Sequence, residues 1–232
     1  MWYWCATLVL GMSLGMACAE PLKLVTGNGY PPFTDEQLAQ GGLATELVRR
    51  AATRAGFEME LTWRPWQHGY QAALDGEFAG TFPYISTPER EKLFHYSAPL
   101  FELHFVVFGR AGRALNGKKP ETLQGLRYCN PHGWAHLPVM AEMMKSGAVA
   151  VAKPYGMDSC MKMVALGRAD FAITDREQGE RVLQDLGDTA RAVRPLGEEM
   201  AQMSLHLIIP RNRPDAESLL QRFNAGLAAV PR

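Results

Sequence analysis

The sequence predicts an α/β protein built as two successive units of alternating strands and helices. Two observations carry this. Short apolar runs of period two alternate with longer runs of period 3.6, each closed by glycine or proline. A polar, glycine-rich break, residues 109–119, then precedes a second run of the same grammar. The order β-α-β-α-β in the first half indicates an open sheet with crossover helices.

Each element has a local reason. Leu22–Thr26 alternates and reads as a strand, broken by the rigid Gly27–Phe33 loop. That loop would present Tyr30 and Phe33 at a sheet edge. Residues 43–52 have helical spacing, with Leu43, Leu47, Val48 and Ala51 on one face and Gly56 beyond the end. Strands are expected at 57–63 and 78–82, around a helix over 65–74 stopped by Gly76. Thr87-Pro88-Glu89-Arg90 reads as a helix start, with Thr87 as cap and Pro88 first in the helix. A turn at 96–100 leads into the apolar run 101–108. In the second half, strands are expected at 126–129, 149–153 and 170–174. Helices are expected at 137–146, at 158–166 capped by Asp158, and at 176–186. A late strand, 203–209, precedes a final helix, 214–229, with Leu219, Leu220, Phe223 and Leu227 on one face.

Composition bounds the function. The 232 residues are 47% hydrophobic and 21% charged, ordinary for a globular protein. Lys+Arg and Asp+Glu both number 24, so no charge excess advertises nucleic acid or an acidic membrane surface. Residues 1–19 lack Lys, Arg, Asp and Glu and hold a short apolar run before Ala17-Cys18-Ala19. This reads as a secretory signal peptide cleaved before Glu20, although no basic residue precedes the run. The run is short for a bilayer span. Leu14 stands one place too far from Cys18 for a lipid-anchor motif. Cleavage would leave Cys129 and Cys160, an even remainder in an exported chain. One disulfide between them is expected, stapling the loop Asn130–Trp134 to the neighbouring helix; two buried free thiols are the alternative.

The order of motifs carries a resemblance. Tyr30-Pro31-Pro32-Phe33, Gly76–Gly80, Thr87-Pro88-Glu89-Arg90, Phe94–Leu100, Leu123–Tyr128 and Gly167–Asp175, after a signal peptide, resemble the family 3 periplasmic solute-binding proteins. These are the amino-acid-type receptors of ABC transporters, and the likeness covers nearly all of the mature chain. It implies a two-lobed periplasmic-binding-protein-like fold of type II, with a two-stranded hinge and a ligand clamped between the lobes. Lobe 1 would comprise residues 20–101 and 204–232, lobe 2 residues 109–193, and the hinge residues 102–108 and 195–203. The late strand would then return to the first lobe.

The resemblance also implies roles for particular residues. Arg90 matches the arginine that takes a ligand carboxylate, suited by its guanidinium fork. Asp175 matches the aspartate that takes a ligand amine, and it would also cap the helix from Arg176. Tyr30 matches a tyrosine that packs on ligand, with an aromatic that covers the sheet edge as the alternative; Trp66 matches an aromatic that lines the cleft and could equally be core. The sequence departs from the pattern where small hydroxyl residues are expected: Phe82, Pro83 and Ile85 stand there, and Gly133-Trp134-Ala135 replaces a Gly-Thr-Thr run. Phe82, Tyr84 and Trp134 would make an aromatic cleft able to stack on a ring or a cation. His132 and His136 are weak evidence for a metal, and no metal or cofactor is expected. The resulting expectation is a monomeric periplasmic binder of a small carboxylate-bearing or amino-acid-like ligand, delivering to an ABC transporter permease. A ligand sensor of the same fold is the alternative. A dehydratase-like enzyme comes behind both, because no catalytic pair stands out and only Glu77, Asp175 and His132 are loose candidates.

Overall fold

The computed structural model describes residues 21–231. The expected signal peptide, with Cys5 and Cys18, lies outside the described residues. The first unit holds β1 (Leu22–Thr26), α1 (Leu43–Arg54), β2 (Met59–Trp63), α2 (Trp66–Leu74), β3 (Gly80–Tyr84), α3 (Pro88–Glu91) and β4 (Phe94–Tyr96). The long strand β5 (Phe101–Arg110) leads into the second unit. That unit holds β6 (Arg127–Cys129), α4 (Pro138–Lys145), β7 (Ala150–Ala152), α5 (Met157–Ala165), β8 (Phe171–Asp175) and α6 (Arg176–Leu186). The eighteen-residue strand β9 (Val193–Pro210) runs back, and α7 (Ala216–Ala228) closes the chain.

The strands lie in the order β2-β1-β3-β9-β5-β8-β6-β7, with β4 also on β9. β1 pairs parallel with β2 and β3, and β6 parallel with β7 and β8. These are the crossover connections that the alternating grammar predicts. β5 and β9 pair antiparallel from Phe101/Leu205 to Arg110/Val193 and are the strands common to both units. A register shift between Phe105 and Val107 bends this ribbon midway.

The core follows the apolar pattern. Phe33, Phe82, Leu207 and Phe223 are buried in the first unit, and Leu123, Tyr128, Met140 and Phe171 in the second. Each such side chain contributes about 1.5–3 kcal/mol by leaving water. Two glycines set helix packing. A Cβ on Gly226 of α7 would overlap the Ala51 carbonyl of α1, and one on Gly179 of α6 would overlap the Phe108 ring.

Three local readings are corrected. α1 buries Ala44, Val48, Ala51 and Ala52, while Leu43 is 44% exposed, because α7 packs against the small-residue face. Asp158 lies in the first turn of α5 and does not cap it; the cap position is Gly156, and Asp158 pairs with Lys162 instead. β3 begins at Gly80, two residues later than expected, and β4 occupies part of the expected turn region. Pro83 has no N–H for a ladder, and the pairing of β3 with β9 breaks register between Thr81 and Tyr84.

Cys129 and Cys160 are bonded, with Cα atoms 5.5 Å apart. The bridge joins the end of β6 to α5, beside the Asn130–Trp134 loop, as expected.

Candidate functional site

The site lies where the two units face each other. Its first wall comes from the loop after β1. Tyr30 is buried there, and its ring meets Phe33 edge-on at 5.1 Å. The Tyr30 amide donates to the Thr34 carbonyl at 3.1 Å, which holds the turn. Trp66 starts α2, and its indole N–H donates to the Asn28 carbonyl at 2.9 Å. Both bonds fix aromatic rings at the C-terminal edge of the first sheet.

Arg90 supplies the charge. Thr87 caps α3, its hydroxyl accepting from the Arg90 amide at 3.3 Å, with Pro88 first in the helix. The guanidinium donates to the Ile85 carbonyl at 3.2 Å and lies over the Tyr84 ring at 4.7 Å and the Tyr70 ring at 5.7 Å. Among the described residues no carboxylate pairs with it. Burial pushes the Tyr84 hydroxyl up to about 12, with the Arg90 charge pulling the other way. Burial also raises Tyr70 and Tyr96, again opposed by Arg90. Two phenol rings therefore face the cation, and a third phenol, Tyr96, feels its charge. Sequence reading missed Tyr70 and Tyr96. Tyr70 was within reach of it, because it stands four residues after Trp66 on the same helix face.

The second unit supplies the opposite wall. Trp134 lies in the loop after the disulfide, with its ring 5.0 Å from that of Tyr30. Asn130 holds this loop. Its side-chain oxygen accepts from the Tyr128 hydroxyl at 2.9 Å, and its amide donates to the Trp134 carbonyl at 3.2 Å. Asp175 ends β8 and caps α6, accepting from the Gln178 amide at 2.9 Å. Its other oxygen accepts from the Tyr30 hydroxyl at 3.3 Å. Burial pushes the Asp175 carboxyl up to about 6, against the pull of the Gln178 amide and the Tyr30 hydroxyl. Tyr30 is pushed well up, first by burial and then by the Asp175 charge.

Between the two walls lies a half-open cavity of about 70 Å³. Tyr30, Trp66, Tyr84, Arg90 and Trp134, all singled out in the sequence, line it. Pro83, Ile85, Phe105, Leu137, Ile173 and Leu205 complete an apolar wall that sequence reading did not assemble. Two of the singled-out residues are elsewhere. Phe82 is 0% exposed in the core, and its carbonyl accepts from the Thr26 hydroxyl at 2.6 Å. Alternation along β3 and the break at Pro83 turn it away from the cleft. Asp175 is 2% exposed behind Tyr30 and does not line the cavity. The histidines separate: His136 packs edge-on against Tyr128 at 5.9 Å, and His132 against Tyr155 at 5.7 Å. A wider open groove, bordered by Trp63, His68, His132 and Tyr155, shares Trp66 and Trp134 with the cavity.

Comparison with known proteins places this geometry. The family model described as bacterial extracellular solute-binding proteins, family 3, matches residues 22–232. A crystal structure of a histidine kinase sensor domain with similarity to periplasmic binding proteins superposes with a TM-score of 0.76 at 18% identity, covering 90% of this chain and 89% of that one. An ancestral arginine-binding protein bound to arginine superposes at 0.75 with 20% identity, covering 90% and 91%. The membrane-bound lytic murein transglycosylase F of Ectopseudomonas mendocina (strain ymp) is 24% identical over 220 residues. The match takes in 87% of this chain and 44% of that protein, so the chain spans less than half of the curated relative's length. The architecture is the two-lobed α/β periplasmic-binding-protein fold of type II.

Proposed function

This chain belongs to the bacterial extracellular solute-binding proteins of family 3, and we propose that it is a periplasmic binder that clamps a small carboxylate-bearing ligand between its lobes. In this reading lobe 1 comprises residues 20–101 and 204–232 and lobe 2 residues 109–193. Residues 102–108 and 195–203 form the hinge, and the signal peptide of residues 1–19 directs export. Ligand enters an open cleft, and closure is favoured by contacts made only in the closed form.

The observation that carries the reading is Arg90. It is the charged side chain of the cavity wall, it is oriented by two tyrosine faces, and among the described residues no carboxylate neutralises it. A guanidinium held in an apolar wall suits an anion with a defined approach. The same wall supports a binding role over an enzymatic one, since no nucleophile–base pair lines it among the described residues. The protein acts as a monomer that delivers its ligand to an ABC transporter permease. Isothermal titration of the mature protein against small carboxylates and amino acids tests this, with Arg90→Gln as the comparison. Saturable binding that weakens at least tenfold in the variant is expected; binding indifferent to Arg90 would remove the clamp.

A second reading is a ligand sensor. It is favoured by the likeness to a histidine kinase sensor domain. Neighbouring genes separate the two readings: permease and ATPase genes favour delivery, a signalling enzyme favours sensing.

A further inference from the structure

The cavity wall is one-sided in charge. Arg90 is its charged side chain, and the rest is aromatic and aliphatic apart from Asn130. Asn130 is already committed: its oxygen accepts from Tyr128, and its amide donates to the carbonyls of Trp134 at 3.2 Å and Pro131 at 3.4 Å. Asp175, which the resemblance assigns to a ligand amine, is covered by Tyr30. One of its oxygens takes the Tyr30 hydroxyl and the other the Gln178 amide. Glu91 is hydrogen-bonded to the Ser86 hydroxyl at an exposed position.

Resting on the clamp reading, we infer that the ligand is a small apolar carboxylate without an α-amino group, and not a zwitterionic amino acid. A carboxylate entering this cavity meets a cation that the protein leaves uncompensated. An ammonium entering it loses its water and finds no carboxylate, only aromatic faces and a like charge at Arg90. Burying an unpaired charge is strongly unfavourable. The ligand's own carboxylate cannot offset this, because Arg90 takes it. The aliphatic side chains Ile85, Leu137, Ile173 and Leu205 make no polar demand on the rest of the ligand. The volume, about 70 Å³, admits on the order of five water-sized groups. That suits a short branched chain.

The experiment compares matched pairs that differ only in the amine. Isothermal titration is run on the mature protein with 3-methylbutanoate against L-valine, and 4-methylpentanoate against L-leucine. Isobutylamine is the cation without a carboxylate, and Arg90→Gln, checked for folding by circular dichroism, is titrated in parallel. Each carboxylate should bind at least tenfold more tightly than its amino acid, isobutylamine should not bind, and Arg90→Gln should lose the carboxylate. An amino acid that matches or exceeds its deaminated partner, with affinity still dependent on Arg90, overturns the inference and leaves the clamp standing. Binding of both series unchanged by Arg90→Gln, or no binding in any arm up to millimolar ligand, removes the clamp reading and the inference with it.

Discussion

The Tyr30 hydroxyl donates to the Asp175 carboxylate at 3.3 Å, joining residues 145 apart in sequence across the cleft between the two units. Both side chains are buried. The bond joins the two units directly, through a contact that needs no ligand. It also ties up, off the cavity wall, the carboxylate that the resemblance assigns to a ligand amine.

Tyr30→Phe keeps the ring and deletes the bond. A buried hydrogen bond to a charged group is worth about 1.5–3 kcal/mol, so the variant should shift the unliganded protein measurably toward the open form. Small-angle scattering should show a larger radius of gyration for Tyr30→Phe than for the parent protein. Identical scattering curves would mean that the bond does not hold the units together.

Asp175 should leave a mark on pH dependence. Burial raises its folded pKa to about 6, above its ordinary value of 3.8. Between these values the folded state holds a proton that the unfolded state releases. Stability contributed by this group therefore falls as pH rises from about 4 to 6, and the penalty is constant above that. The full effect is on the order of 2–3 kcal/mol. Asp175→Asn, which can still cap α6, should lose this slope. Urea unfolding at a series of pH values checks it, and a slope retained in the variant would assign the effect to another group.

Arg90→Lys separates charge from shape. Lysine keeps the cation but not the planar fork that lies over Tyr84 and Tyr70. Affinity for a carboxylate ligand should fall about tenfold or more, equivalent to about 1.4 kcal/mol. Titration calorimetry measures this directly, and full retention would mean that the site reads charge alone.

The disulfide closes a loop with a sequence separation of 31. By the loop-entropy relation it contributes about 3–4 kcal/mol. The double variant Cys129→Ser/Cys160→Ser should show that loss in guanidinium unfolding. The mature parent, unfolded without reductant, should titrate no free thiol.

Gly179→Ala places a methyl group against the Phe108 ring, where α6 approaches β5. Overpacking of this kind costs about 1–3 kcal/mol. Thermal unfolding should register the loss, and an unchanged midpoint would show that α6 can shift outward freely.

Much of the fold was legible because its signals are local. α6 runs over Arg176–Leu186, the span expected from the sequence. Thr87-Pro88 sets the start of α3, and so the place of Arg90, through a cap that involves only neighbouring residues. The alternation of strands and helices demanded parallel crossovers in each half, and β1–β3 and β6–β8 supply them. The disulfide followed from an even cysteine remainder after the expected leader.

What the sequence could not decide by itself was direction. Period two in β3 assigns Phe82 and its neighbours to two faces, but which face meets the cleft depends on pairing with β9 and on the break at Pro83. Tertiary packing sent Phe82 into the core and left Pro83, Tyr84 and Ile85 on the cavity wall. Helical spacing on α1 placed Leu43 inward, and α7 settled the matter by seating Gly226 on the small-residue face. Local sequence placed Asp175 at a strand end and Tyr30 in a loop. Only the folded chain brought them together, because a hydrogen bond across 145 residues depends on how the two units pack, and no local propensity encodes that.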